Sequence, residues 1–174
     1  MHKFIVSLTN EDSALITTPK VECFLISTED KSIAALITAA KKNNKLILIY
    51  GLKACEICKQ YDADGVLIDL SKSEHCAKEI NFARKQIGDK ALGIISRNRR
   101  HEAMLISECE PDFVVFKAWQ QGIEQTRELV SWYNEMFLIQ SAVILEEKIP
   151  DPQNFDCDII IMPAQDYKNI QNAL

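Results

Sequence analysis

Apolar residues in this chain fall into short unbroken runs separated by longer polar stretches, and the pattern repeats. From Lys45 to Trp119 one unit appears three times: a strand-like apolar run, then a segment whose apolar residues return at helical spacing. KLILIYG leads into KACEICKQYDA, DGVLIDL into SEHCAKEINFARKQIG, and ALGIIS into NRRHEAMLISECE, after which DFVVFKAW opens a further unit. The runs do not alternate apolar with polar, as strands covered by helices must not. Strand following helix in this way predicts a parallel sheet with right-handed crossovers.

The flanks extend the count. Phe4–Asn10 and Val21–Thr28 read as two earlier strands, Gln140–Glu147 and Asp156–Pro163 as two later ones. Between the second and third strands, Ile33, Leu36, Ile37 and Ala40 predict a helix capped by Thr28, with Glu29 and Asp30 in its first turn. Ala77, Ile80, Ala83 (or Phe82) and Ile87 predict the inward stripe of another, stopped by Gly88. Ala103, Leu105, Ile106 and Cys109 do the same before Pro111. Gly122–Met136 is a further helix, with Ile123, Val130, Trp132, Tyr133 and Met136 as packing candidates. Trp119 and Trp132 read as packing anchors.

Eight strands, five full helices and one short terminal helix predict one domain over residues 1–174, a minimal (β/α)8 TIM barrel lacking some outer helices. The usual length is about 200 residues or more. The shortfall lies in the first and seventh crossovers, EDSALITTPK and KIPDPQNF, which have no room for a helix, and in the brief tail. The alternative is an open doubly wound sheet, for which a Gly-rich first turn would be expected, and no GxGxxG occurs.

Charge narrows the partners. Twenty Lys and Arg stand against 25 Asp and Glu, a net charge of -5, without a basic stripe or interleaved aromatics, so nucleic acid is not expected. No run approaches the roughly 20 apolar residues of a membrane span, and the N-terminus lacks signal-peptide features, so a cytoplasmic protein is expected. Among six cysteines only Cys55-x-x-Cys58 has a suggestive spacing. A redox pair, a zinc half-site and two packing residues are its three readings, the last preferred. Barrel flanks without helices suggest burial against a second copy, so a homodimer is expected.

The segment Tyr61–Trp119 resembles the thiamine phosphate synthase family, which includes thiazole tautomerases. The resemblance rests on Ala63-Asp64-Gly65-Val66, then Leu92-Gly93-Ile94-Ile95-Ser96, then Arg100-His101-Glu102-Ala103, then Glu110-Pro111-Asp112-Phe113-Val114-Val115-Phe116. It implies a barrel that joins a pyrimidine diphosphate to a thiazole phosphate in thiamine biosynthesis. Such a transferase uses Mg²⁺ to stabilise the leaving diphosphate. By position, it implies Asp69 and Lys117 as catalytic residues, Asp69 also as metal ligand, and Ser96 and Arg97 as phosphate-binding residues. The ligand would be a small phosphorylated heterocycle.

The chain departs from the family elsewhere. Ser27-Thr28-Glu29-Asp30-Lys31 replaces the anion grip after the second strand, and Tyr50-Gly51-Leu52 replaces an Asn-Asp pair after the third. Phe116-Lys117-Ala118-Trp119 replaces a Thr-Lys loop. Glu146-Glu147 and Met162-Pro163 end the last two strands, where backbone amides would cradle phosphate. Five glycines occur in all and none follows Gly122. Glu146 and Glu147 remain as a metal or acid–base pair, and His75 and His101 read as solvated. The departures leave a second function open, that of a non-catalytic binding or interaction module, a pseudoenzyme.

Overall fold

The computed structural model describes residues 2–171. Eight parallel strands close in sequence order into a barrel: β1 (Lys3–Ser7), β2 (Cys23–Ser27), β3 (Leu46–Tyr50), β4 (Gly65–Asp69), β5 (Ala91–Ile95), β6 (Phe113–Ala118), β7 (Gln140–Leu145) and β8 (Ile159–Pro163). Closure is made by β8 against β1, in register from Lys3 with Ile159 to Ser7 with Pro163. Six helices lie outside: α1 (Ile33–Lys42), α2 (Ala54–Gln60), α3 (Cys76–Ile87), α4 (Arg100–Ser107), α5 (Ile123–Met136) and α6 (Ala164–Ile170). This is the predicted (β/α)8 barrel. The predicted terminal helix is confined to α6, and residues 172–174 of that segment lie outside the described residues.

The two expected gaps fall where predicted. A 3-10 segment, Asn10–Thr17, joins β1 to β2, and a single 3-10 turn, Pro152–Asn154, lies between β7 and β8. The chain covers these flanks itself. Leu15 and Ile16 are buried on one side, Ile149 and Phe155 on the other, all within the outer core. Both helix-less crossovers thus pack their own apolar residues against the barrel.

Alternation along each strand sorts the apolar residues into two cores. Inside the barrel lie Ile5, Leu25, Leu48, Leu67, Ile95, Phe113, Val115, Ala142, Ile159 and Ile161. Their neighbours Val6, Phe24, Ile47, Val66, Ile94, Val114, Val143 and Ile160 face the helices. Gly93 makes room inside: a Cβ there would stand 2.2 Å from Phe113 Cζ. Gly65 serves backbone approach, since its Cβ would meet the Ala91 carbonyl oxygen at 2.2 Å.

Some helix details differ from expectation. Thr28 does not cap α1, which starts at Ile33 after Ser32, with no acidic residue in its first turn. Instead Asp30 Oδ1 accepts from the Ser32 amide at 2.7 Å, and Thr28 N–H bonds Tyr50 O in sheet fashion. Helix α3 buries Ile80, Ala83 and Ile87 and leaves Phe82 exposed. In α4, Ala103, Ile106 and Ser107 turn inward, with Leu105 exposed. Ser107 is tolerated because its hydroxyl meets Ala103 O and the Tyr133 hydroxyl, each at 2.8 Å. In α5, Met136 is exposed and Thr126 and Leu129 are buried.

The N-terminal end of the barrel carries a device that recurs on alternate strands. Asp64, Asp112 and Asp158 each stand one residue before β4, β6 and β8. Each donates its own amide to the preceding strand, at Ile47 O, Leu92 O and Ser141 O. Each then accepts on Oδ2 the amide of that same residue, at 2.8, 2.7 and 2.9 Å respectively. The carboxylate thus completes a two-bond clamp between paired strands, at the end of the barrel associated with stability.

Asp64→Ala removes the Oδ2 acceptor of the Ile47 amide and is expected to cost about 1–3 kcal/mol in urea denaturation. Gly65→Ala forces a methyl into the Ala91 carbonyl and is expected to cost about 1–3 kcal/mol by the same measurement.

Candidate functional site

At the opposite end of the barrel the inward positions cease to be apolar. Beyond Leu67, Ile95, Val115 and Ile144 the next residues of the same parity are Asp69, Arg97, Lys117 and Glu146. Four charged residues from consecutive strand ends thus converge on one mouth. Arg97, Lys117 and Glu146, together with Ser71 and Trp119, line a shallow hollow of about 250 Å³, open to solvent, and Asp69 adjoins it through Lys117.

Lys117 is its centre. The ammonium donates to Asp69 Oδ2 at 2.9 Å and lies 3.4 Å from Glu146 Oε1. Asp69 is held in turn by Ser71, whose amide and hydroxyl both donate to Oδ1, at 2.9 and 2.6 Å. The Lys117 backbone is pinned by Asn98. Its Oδ1 accepts from Lys117 N–H at 3.1 Å, and its Nδ2 donates to Lys117 O at 2.7 Å. Thr126 Oγ1 donates to the same carbonyl at 3.1 Å. An asparagine side chain here replaces a missing stretch of sheet ladder.

The electrostatics follow from these contacts. Burial pushes the Asp69 carboxyl up, but hydrogen bonds from Ser71 and Lys117 outweigh it and hold the group below its ordinary value. Burial pushes the Lys117 amine down, and the Asp69 and Glu146 contacts carry it above its ordinary value instead. Lys117 is therefore a fixed cation and hydrogen-bond donor at neutral pH, not a nucleophilic amine.

The predicted residues take unequal places. Asp69, Lys117 and Arg97 share the mouth. Arg97 Nε donates to Ser71 O at 3.0 Å, and Nη1 is 3.4 Å from Glu102 Oε1. Ser96 is fully buried and donates its hydroxyl to Arg97 O at 2.8 Å, so it shapes the loop. Glu146 and Glu147 separate: Glu146 pairs with Lys117, while Glu147 Oε1 accepts from the Gln120 amide. His75 and His101 are exposed. Cys55 and Cys58 are free and buried in α2, and burial pushes both thiols up, opposite to what redox reactivity needs. Ser71, Asn98 and Thr126 were not indicated by the sequence; an isolated polar residue in a loop or helix carries no periodic signal.

Mg²⁺, which the resemblance implies, does not fit this donor set. It requires near-octahedral oxygen ligation, and here both Asp69 oxygens are occupied by Ser71 and Lys117. Among the described residues no three His, Cys, Asp or Glu side chains gather as a metal site. A larger open hollow of about 830 Å³ lies between α2 and α3, lined by Lys53, Glu56, His75, Lys78, Glu79 and Phe82. Its charges form no comparable convergence.

No protein-family model matches this chain, and no curated protein matches it. Solved structures do. Thiamine phosphate pyrophosphorylase from Pyrococcus furiosus is similar with a TM-score of 0.73 at 12% identity, covering 99% of this chain and 96% of that one. Tryptophan synthase from M. tuberculosis, in an open form with BRD0059 bound, has a TM-score of 0.66 at 12% identity, covering 98% and 86%. A ligand-free form of the same enzyme with a TrpA-G66V substitution scores 0.66 at 10% identity, covering 94% and 83%. The likeness is one of fold. No described helix is long and apolar enough to cross a membrane.

The Asp69–Lys117 pair makes stability pH-dependent in a stated direction. Asp69 titrates lower when folded, so its contribution is fully present above about pH 4 and is lost as pH falls through the depressed value. Lys117 titrates higher, so its contribution persists to about pH 10 and is lost only above that. Urea titrations should show the stability gap between wild type and Asp69→Asn constant near neutrality and closing in acid.

Proposed function

We propose that this chain is a thiamine phosphate synthase-like barrel whose mouth binds a small phosphorylated heterocycle. The observation that carries the reading is the convergence of Arg97 and Lys117 in one hollow at the C-terminal ends of the strands, where enzymes of this fold work. The short sequence resemblance from Tyr61 to Trp119 and the similarity to the Pyrococcus furiosus protein support the same choice. Arg97 presents a planar guanidinium suited to phosphate oxygens, with Arg99 beside it. Glu146, half exposed, offers an acceptor to an amino or ring N–H edge of the heterocycle. The ligand would therefore lie with its anion toward β5 and its donor edge toward β7.

The family reaction would expel diphosphate from the pyrimidine and leave a delocalised cation for the thiazole nitrogen to attack. In this chain the cations available to the departing diphosphate are Lys117 and Arg97. A second reading, a binding module without turnover, is favoured by a specific observation. Glu146-Glu147 and Met162-Pro163 stand at the ends of β7 and β8, where backbone amides would otherwise hold phosphate.

Isothermal titration with thiazole phosphate and with pyrimidine diphosphate tests the shared claim. Heat for either ligand that Lys117→Ala weakens about tenfold or more supports it. Silence for both overturns it. Formation of the joined product in a mixed assay distinguishes the transferase from the module.

A further inference from the structure

Two carboxylates brought to one barrel mouth, here from the ends of β4 and β7, ordinarily repel, and a cation between them relieves the repulsion. Here the cation belongs to the chain. Lys117 Nζ reaches Asp69 Oδ2 from one side at 2.9 Å and Glu146 Oε1 from the other at 3.4 Å. Asp69 Oδ1 is turned away onto Ser71, so the oxygen facing the mouth is the one that Lys117 holds. Asn98 fastens the Lys117 backbone on both the N–H and the carbonyl, and the two carboxylates hold the ammonium.

We propose that the Lys117 ammonium is a tethered cation standing in the place of a divalent metal, which makes this mouth a metal-independent binding site. The proposal builds on the reading of the mouth as a ligand site but concerns its cation alone, and its test uses no organic ligand. An ammonium has three N–H donors. Two are directed to the carboxylates, and the third is left to a ligand oxygen. The Asp69–Lys117–Glu146 set keeps one net negative charge, whereas a divalent ion would have balanced it. The site therefore suits a singly attached phosphate beside Arg97 better than a diphosphate that needs a metal clamp.

The experiment is titration of MnCl₂ into the full chain, followed by calorimetry and by paramagnetic broadening of NMR signals. Wild type is expected to show no binding and no broadening at Asp69, Lys117 or Glu146. Lys117→Ala is expected to bind Mn²⁺ at least about tenfold more tightly than wild type, and Lys117→Ala with Glu146→Gln is expected to lose that gain. Broadening at the mouth of the wild-type chain overturns the proposal, whether or not the variants fold. Failure of a folded Lys117→Ala chain to bind Mn²⁺ overturns it as well, leaving an ordinary ion pair. Because no heterocycle is present, neither result depends on the identity of the ligand.

Discussion

A closed parallel barrel has one interior, and every second side chain of all eight strands must enter it. That constraint governs the rest of this molecule. Through most of its depth the interior is apolar, from Ile5, Leu25 and Ile159 to Val115 and Ile161. Space is limited enough that Gly93 yields its side-chain volume to the Phe113 ring. At the top layer the same parity delivers Arg97, Lys117 and Glu146 into a shared opening, with Asp69 against Lys117 at its edge. The charged mouth is thus a consequence of strand register as much as of residue choice; a one-residue slip in any strand would send its charge outward into the helical layer.

Charges delivered this way need partners, and the structure supplies them from outside the strands. Ser71 anchors Asp69, Glu102 faces Arg97, and Asn98 holds the backbone beneath Lys117. Burial alone would push Asp69 and Lys117 toward neutrality. Hydrogen bonds from Ser71 and Lys117 reverse the tendency at Asp69, and the Asp69 and Glu146 contacts reverse it at Lys117. The result is an opening whose charge pattern is fixed by contacts within the chain itself.

Strand order and the missing helices were legible in the chain because they depend on run length and periodicity. KLILIYG, DGVLIDL and DFVVFKAW can be little else than buried strands, and EDSALITTPK and KIPDPQNF are too short and too broken to cross back as helices. Fine orientation was less legible. Phe82, Leu105 and Met136 look like core residues and face solvent, while Thr126 and Ser107 look polar and are buried. Hydrogen bonds accommodate Ser107 and Thr126, and no periodicity records them. For the mouth, the family resemblance together with position at strand ends nominated Asp69, Arg97 and Lys117. It could not show that Ser96 would be buried, or that the two adjacent glutamates would part company.

The aspartates at the lower end of the barrel divide the architecture into couples. Asp64 binds β4 to β3, Asp112 binds β6 to β5, and Asp158 binds β8 to β7. Among the described residues no such link joins β4 to β5 or β6 to β7. A chain severed within α3 would therefore leave every one of these links whole inside one fragment or the other, whereas a break in α2, α4 or the β7–β8 loop would separate its two ends. The fold is in this sense assembled from hairpin-sized modules, with its natural seams on the odd side of each couple.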